Sequence, residues 1–175
     1  MTGSHPETWP DDVYRILVEN CVRLVAYVPD SGHARLIDMC YQGNEIKPVV
    51  LTTEEEGVAL LAGAWLGGER GALLMQSSGV GNCINMLSLT HVCRMPLLLL
   101  VTMRGQWGEF NPWQVPMGKN ANQALNAAGV LTFPVEDKER VKETLEAAAK
   151  MVFEGPAGAA VLISQRILGA KTFGR

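Results

Sequence analysis

No stretch of this 175-residue chain is apolar for long enough to cross a membrane; the longest strongly apolar run, Pro96 to Val101, is strand-sized. Met1 to Trp9 lacks the basic-then-apolar pattern of a secretory signal. Cys21, Cys40, Cys83 and Cys93 form no CxxC pair, and no His stands at zinc-ligand spacing from them. All four fall within apolar segments, where an unpaired thiol packs as a small core residue, so a reduced, cytoplasmic setting is expected. Positive charge is also scarce. Fifteen Lys and Arg against 18 Asp and Glu give a net charge of -3, which offers no electrostatic footprint for nucleic acid or an anionic membrane surface. Internal repeats and low-complexity segments are absent.

What remains is a globular composition, 47% hydrophobic and 19% charged, of a length that suits one domain, 1–175, with one substantial core. Short apolar runs at 24–28, 48–51, 71–76, 97–102, 130–135 and 157–163 read as strands. Between them, 11–22, 32–41, 54–67, 83–93, 121–128 and 137–153 carry helical patterns. Six strands alternating with helices predict an α/β three-layer sandwich: a six-stranded, mostly parallel sheet with helices on both faces.

The chain is organised around Thr52 to Gly67, where Glu54, Glu55 and Glu56 open a helix that then carries no charge from Gly57 to Gly68. Capping explains part of this. Thr53 and Glu56 have capping-box spacing, and first-turn acids suit the positive end of the helix dipole. An uncharged helix is expected when every face is covered by protein, and a carboxylate at its root can lie in a dry cleft and hold or share a proton.

In such sheets ligands gather beyond the carboxyl ends of the strands. That rule joins Pro29 to His33, Thr53 to Glu56, Ser77 to Asn82 and Met103 to Gly118 into one candidate site. Ser78-Gly79-Val80-Gly81-Asn82 reads as a loop after a strand that either holds an anion or a flat ring or simply needs glycines for a tight turn. As a dinucleotide fingerprint it fails, since Ile84 stands where the third glycine belongs. His91 reads as a core residue and His33 as a polar contact to substrate. Arg104, in an aperiodic segment from Met103 to Lys119 with Trp107, Glu109 and Trp113, is a candidate anion clamp.

Glu54 nine residues before Gly63, then a strand, then Ser77-Ser78-Gly79-Val80-Gly81-Asn82, resembles the pyrimidine-binding domain of thiamine-diphosphate-dependent 2-oxo acid decarboxylases. The likeness extends to the sulfopyruvate and phosphonopyruvate decarboxylases through Val28-Pro29-Asp30-Ser31, Leu74-Met75-Gln76, Arg104-Gly105 and Gln114-Val115-Pro116-Met117-Gly118. It implies that Glu54, with Glu55 as the alternative, is catalytic and hydrogen-bonds the cofactor's aminopyrimidine ring. It further implies that Ser77, Ser78, Gly79, Gly81 and Asn82 bind the cofactor. Ser31, His33, Arg104 and Gln114 are the implied substrate contacts.

The family holds the diphosphate and Mg2+ through a Gly-Asp-Gly run in a second domain, and no Gly-Asp-Gly occurs here. The resemblance therefore implies the alpha subunit of a hetero-oligomer whose beta subunit carries the diphosphate and Mg2+ site, with no metal ligands on this chain. The expected substrate is a small anionic 2-oxo acid. Ser77, where the sulfopyruvate enzymes more often carry Asn, leaves its identity open. A non-catalytic subunit of the same fold and a doubly wound nucleotide-binding domain are the competing expectations.

Overall fold

The computed structural model describes residues 8–169. Its sheet has strand order β2-β1-β3-β4-β6-β5, where β1 is Val22–Tyr27, β2 Lys47–Val50, β3 Arg70–Gln76, β4 Leu97–Thr102, β5 Leu131–Val135 and β6 Gly158–Ile163. Every adjacent pair is parallel, so the expected mostly parallel sheet is wholly parallel. The order follows from composition. Every residue of β4 and of β6 is buried, which suits central strands. The two edge strands each contain a proline, Pro48 and Pro134, tolerated where one side of the strand needs no ladder partner.

Residue alternation divides the core in two. On one face Val25, Leu74, Leu98 and Val161 pack with α1 (Trp9–Glu19), α2 (Ala34–Gln42) and α7 (Val141–Glu154). On the other Leu73, Met75, Leu99 and Leu162 pack with α3 (Glu54–Leu66), α4 (Ser77–Cys83) and α6 (Val115–Ala127). Two short helices complete the chain, α5 (Ser88–Val92) and α8 (Gln165–Leu168). Among the described residues no helix is long and apolar enough to cross a membrane.

Several expectations need correction. Ser77 to Asn82 is not a loop but most of α4, and the helix expected over 83–93 is broken by a turn at 84–87 before α5. Two glycines in seven residues hid the helix, because glycine disfavours helix formation and its packing reason lies elsewhere in the chain. Part of the aperiodic 103–119 segment is ordered as a 3-10 turn, Pro112–Gln114, running into α6 six residues earlier than expected. The 137–153 helix begins as a 3-10 turn at Lys138–Arg140.

The capping box on α3 forms, with Glu56 Oε2 accepting from the backbone N–H of Thr52 at 2.7 Å and of Thr53 at 3.4 Å. The expected all-round burial of α3 does not. Glu54, Gly57, Val58 and Leu61 face the core, whereas Ala59, Leu60, Gly63 and Leu66 lie exposed on the opposite side. His91 is exposed near the end of α5, because that helix is too short to wrap it. Cys40 and Cys83 are core residues, but Cys21 and Cys93 are exposed.

Candidate functional site

α3 enters the fold at the carboxyl edge of the sheet, and of its three leading glutamates only Glu54 turns inward, 7% exposed. Glu55 and Glu56 face out, Glu56 being spent on the cap. Asn82 donates from Nδ2 to Glu54 Oε2 at 2.8 Å, and among the described residues no hydrogen bond reaches Oε1. The carboxyl group lies directly over Gly79. A Cβ added there would stand 2.4 Å from Glu54 Cδ and Oε1, so the glycine is required by close approach rather than by a turn. Gly81, one turn face away, would meet only ordinary contact with Met117. Behind the carboxylate, burial and the nearby Glu54 and Glu55 charges push the Cys83 thiol up to about 12, so it stays a neutral part of the floor.

Beside this carboxylate a polar cluster joins the ends of β1, β3 and β4. Thr102 Oγ1 donates to Asp30 Oδ2 at 2.5 Å and Gln76 Nε2 to Asp30 Oδ1 at 2.6 Å. Burial alone would raise the Asp30 carboxyl, but the Thr102 bond, the adjacent His33, the Gln76 bond and the Gly32 backbone N–H together outweigh it and hold it below its ordinary value. Gln76 Oε1 accepts from Ser78 Oγ at 3.4 Å and from Gln114 Nε2 at 3.3 Å. Ser77 is fully buried, its Oγ accepting from the Arg104 backbone N–H at 3.0 Å. Asp30 and Gln76 lie in stretches that carry the resemblance but were given no role from sequence, and Thr102 was not singled out. The available signal was a polar residue closing an apolar strand, Leu-Leu-Met-Gln at β3 and Leu-Leu-Val-Thr at β4.

The structure brings Glu54, Gly79 and Asn82 together and places Ser77, Ser78 and Gln114 on the adjoining cluster. His33 is not at an open surface. Its ring is 1% exposed, Nε2 lies 3.0 Å from the Leu100 carbonyl, Nδ1 has no hydrogen bond, and burial pushes its pKa down. Ser31 is exposed on the turn after β1. Arg104, expected to clamp a substrate anion, is already engaged. Its fork makes two bonds of 2.7 Å to Glu109, which also accepts from the backbone of Gly105 and Asn111 and from Gln165 Nε2. A planar guanidinium fits a carboxylate in this way, and Glu109 takes the Nε and Nη2 side of the fork and neutralises its charge. A polar cavity of about 330 Å³ lies on the far side of this loop, lined by Gln106, Lys119, Asn122 and Glu136 among others, away from Glu54.

The pair makes the loop after β4 acid-sensitive. The Arg104 fork holds Glu109 at about 2, well below its ordinary 4.5. A carboxyl with a lowered native pKa contributes fully above its unfolded value and loses that contribution as pH falls through its folded value. The stability difference between the wild type and Glu109→Gln, measured by urea midpoints, is therefore expected to be constant above about pH 4.5 and to shrink towards pH 2. A difference independent of pH over that window would show that the Glu109 charge does not hold the loop.

Residues 8–128 match the family described as "Thiamine pyrophosphate enzyme, N-terminal TPP binding domain", and the chain belongs to that family. Within it, the chain is 32% identical over 146 residues to the sulfopyruvate decarboxylase subunit alpha of Methanococcus maripaludis, covering 81% of this chain and 87% of that one. It is 33% identical over 159 residues to the sulfopyruvate decarboxylase of Methanosarcina acetivorans, covering 90% of this chain but 40% of that protein. The fold is shared with 2-oxoglutarate:ferredoxin oxidoreductase from Magnetococcus marinus at a TM-score of 0.74 and 15% identity, over 92% of this chain and 29% of that one.

Proposed function

We propose that this chain is the pyrimidine-binding subunit of a cytoplasmic thiamine-diphosphate-dependent decarboxylase of a small anionic 2-oxo acid. Sulfopyruvate is the first candidate and phosphonopyruvate the second. The observation that carries this reading is the Glu54 carboxylate seated on the bare Cα of Gly79, oriented by Asn82 and with one oxygen that accepts no hydrogen bond among the described residues. That arrangement fits a flat heterocycle carrying a ring nitrogen. Glu54 would share a proton with the nitrogen, Asn82 would fix the carboxylate's rotamer, and the bare Cα of Gly79 makes the room in which the carboxylate sits. When bound, thiamine diphosphate supplies the electron sink that lets a 2-oxo acid lose carbon dioxide.

Among the described residues no three His, Cys, Asp or Glu side chains gather as a metal site. The reading assigns the Mg2+ and diphosphate ligands to a partner subunit, so that the active site is completed between chains. Arg104 then holds the loop wall through Glu109, Gln114 on the polar cluster is a candidate for substrate contact, and Ser31 is a second one from the resemblance.

Calorimetric titration of thiamine diphosphate with Mg2+ tests this, first into the chain alone and then into its mixture with a candidate partner encoded beside it. Binding is expected only in the mixture, followed by release of carbon dioxide from sulfopyruvate. Absence of binding in both would sink the reading, and tight NAD binding by the isolated chain would replace it with the nucleotide-binding alternative.

A further inference from the structure

The polar cluster at the strand ends has a direction. Its members are amides, hydroxyls and one carboxylate, and the carboxylate alone has a fixed hydrogen-bond sense: an ionised Asp accepts and cannot donate. Asp30, held below its ordinary pKa by its surroundings, receives Thr102 Oγ1 at 2.5 Å and Gln76 Nε2 at 2.6 Å. The Gln76 amide is thereby fixed with its nitrogen toward Asp30 and its oxygen away. That oxygen in turn takes Gln114 Nε2 at 3.3 Å, which leaves the Gln114 carbonyl oxygen at the far end of the chain. Ser78, whose Oγ donates to Gln76 Oε1 at 3.4 Å, does not set the sense, because a hydroxyl serves in either direction.

That far end has no partner. Among the described residues the buried side-chain atoms without a hydrogen bond are His33 Nδ1 and Gln114 Oε1. His33 is 1% exposed as a whole and closed over by the strand ends, out of reach of a ligand. Gln114 is half-buried, in the turn that leads into α6, so its end can be reached from outside the chain. A buried amide oxygen with no donor is costly, and calls for one that the chain itself does not supply.

We propose that Asp30 and Gln76 are positioning residues that hold Gln114 with its carbonyl oxygen toward the bound ligand, where it accepts from an uncharged N–H or O–H of the cofactor or the substrate. This rests on the function proposed above and gives Gln114 a narrower part in it. A carbonyl oxygen repels a carboxylate or a sulfonate, so the anionic groups of a 2-oxo acid are held by other residues. The polarity is decided two residues away from the one that meets the ligand, by the single group in the cluster that cannot donate.

The relay can be reversed and restored by moving one charge. Asp30→Asn keeps an oxygen for Thr102 and the Gly32 N–H, turns its amide to Gln76 and so reverses both glutamines, which presents Gln114 Nε2 outward. Gln114→Glu alone sets a carboxylate against the Gln76 oxygen, or binds a proton to avoid doing so, and either costs stability. In the double variant the reversed Gln76 donates to the new carboxylate, which again presents an acceptor outward at unchanged net charge. At pH 8, urea unfolding of the chain alone is expected to give midpoints lowered by about 0.5 M or more in each single variant, and by less than either in the double. In the reconstituted complex, release of carbon dioxide from sulfopyruvate is expected to fall about thirtyfold in each single variant and to return to within about threefold of wild type in the double. Calorimetric affinity for thiamine diphosphate that falls and recovers in step assigns the donor to the cofactor, and recovery of turnover alone assigns it to the substrate. Losses that simply add, in urea and in turnover, would overturn the proposal. Recovery in urea with turnover and cofactor affinity unmoved in all three variants would leave an internal relay without a ligand, and overturn it equally. A wild-type mixture that neither binds cofactor nor releases carbon dioxide would remove the ligand together with the function above, while the urea series on the isolated chain still decides the relay.

Discussion

Glu54→Gln is expected to lower turnover of the reconstituted complex by about a thousandfold, within the range for loss of a positioned acid or base, while leaving the fold and assembly intact. Such a loss is about 4 kcal/mol of transition-state stabilisation. The substitution is nearly isosteric, and Asn82 can still donate to the amide oxygen, so the side chain keeps its place and loses only its capacity to hold the shared proton. Glu55→Gln provides the comparison. Its side chain is exposed and is expected to alter turnover by less than about twofold, as surface changes do. Gly79→Ala should reproduce part of the defect from the other side, because the new Cβ would overlap the Glu54 carboxyl and force it off position. Its burden falls on a movable side-chain end rather than on backbone, so activity should suffer more than stability. Full activity of Glu54→Gln beside an inactive Glu55→Gln would shift the catalytic position by one. Full activity in both would end the assignment.

The largest loss of stability is expected from Gly118→Ala. In the first turn of α6, a Cβ at this position would lie 1.8 Å from the Arg104 carbonyl oxygen and 2.9 Å from Gly105 Cα. These are backbone atoms and cannot rotate away. Gly105, at φ 72°, faces the Gln114 backbone in return, so the exit of β4 and the start of α6 are pressed main chain to main chain. Overpacking of this kind costs about 3 kcal/mol or more. For a chain of this size that lowers the melting temperature by roughly 6–12 °C. Gly81→Ala, whose Cβ would make only ordinary contact at 3.6 Å, is the matched control and should melt within a degree or two of wild type, roughly the scale of a neutral change. An equally stable Gly118→Ala would mean that the two segments are not in contact as described.

The six strands were legible because each is a short run of apolar residues closed by glycine, proline or a polar residue, and that signal is local. So was the root of α3, where three adjacent acids before an uncharged helix marked the candidate site. What sequence could not supply were relations between distant segments. Gly79 looks like a turn residue until Glu54 is seen above it, twenty-five positions earlier in the chain. Arg104 and Glu109 were both visible in the aperiodic segment, but no helical or strand period ties them, so the bidentate pair could not be foreseen and Arg104 was read as free for substrate. His33 follows a turn, a place that usually means solvent, yet the packed ends of β3 and β4 close over it. The open side of α3 is the reverse case: the sequence specifies a covered helix, and a single chain does not cover it.

The position of β6 has a consequence for how this chain is made. It is the last strand among the described residues but lies between β4 and β5, pairing with both. During synthesis β1 to β4 can assemble in turn, whereas β5 leaves the ribosome with no strand to join. Until β6 arrives, β4 presents an open edge that is apolar from Leu97 to Val101, the kind of surface through which incomplete chains pair with one another. Closure must wait for β6, roughly 55 residues beyond β4, and contacts so distant in sequence form slowly. A nascent chain stalled before Gly158 would therefore keep that edge open to chaperones, and arrival of β6, rather than of any earlier helix, is the event that seals the sheet.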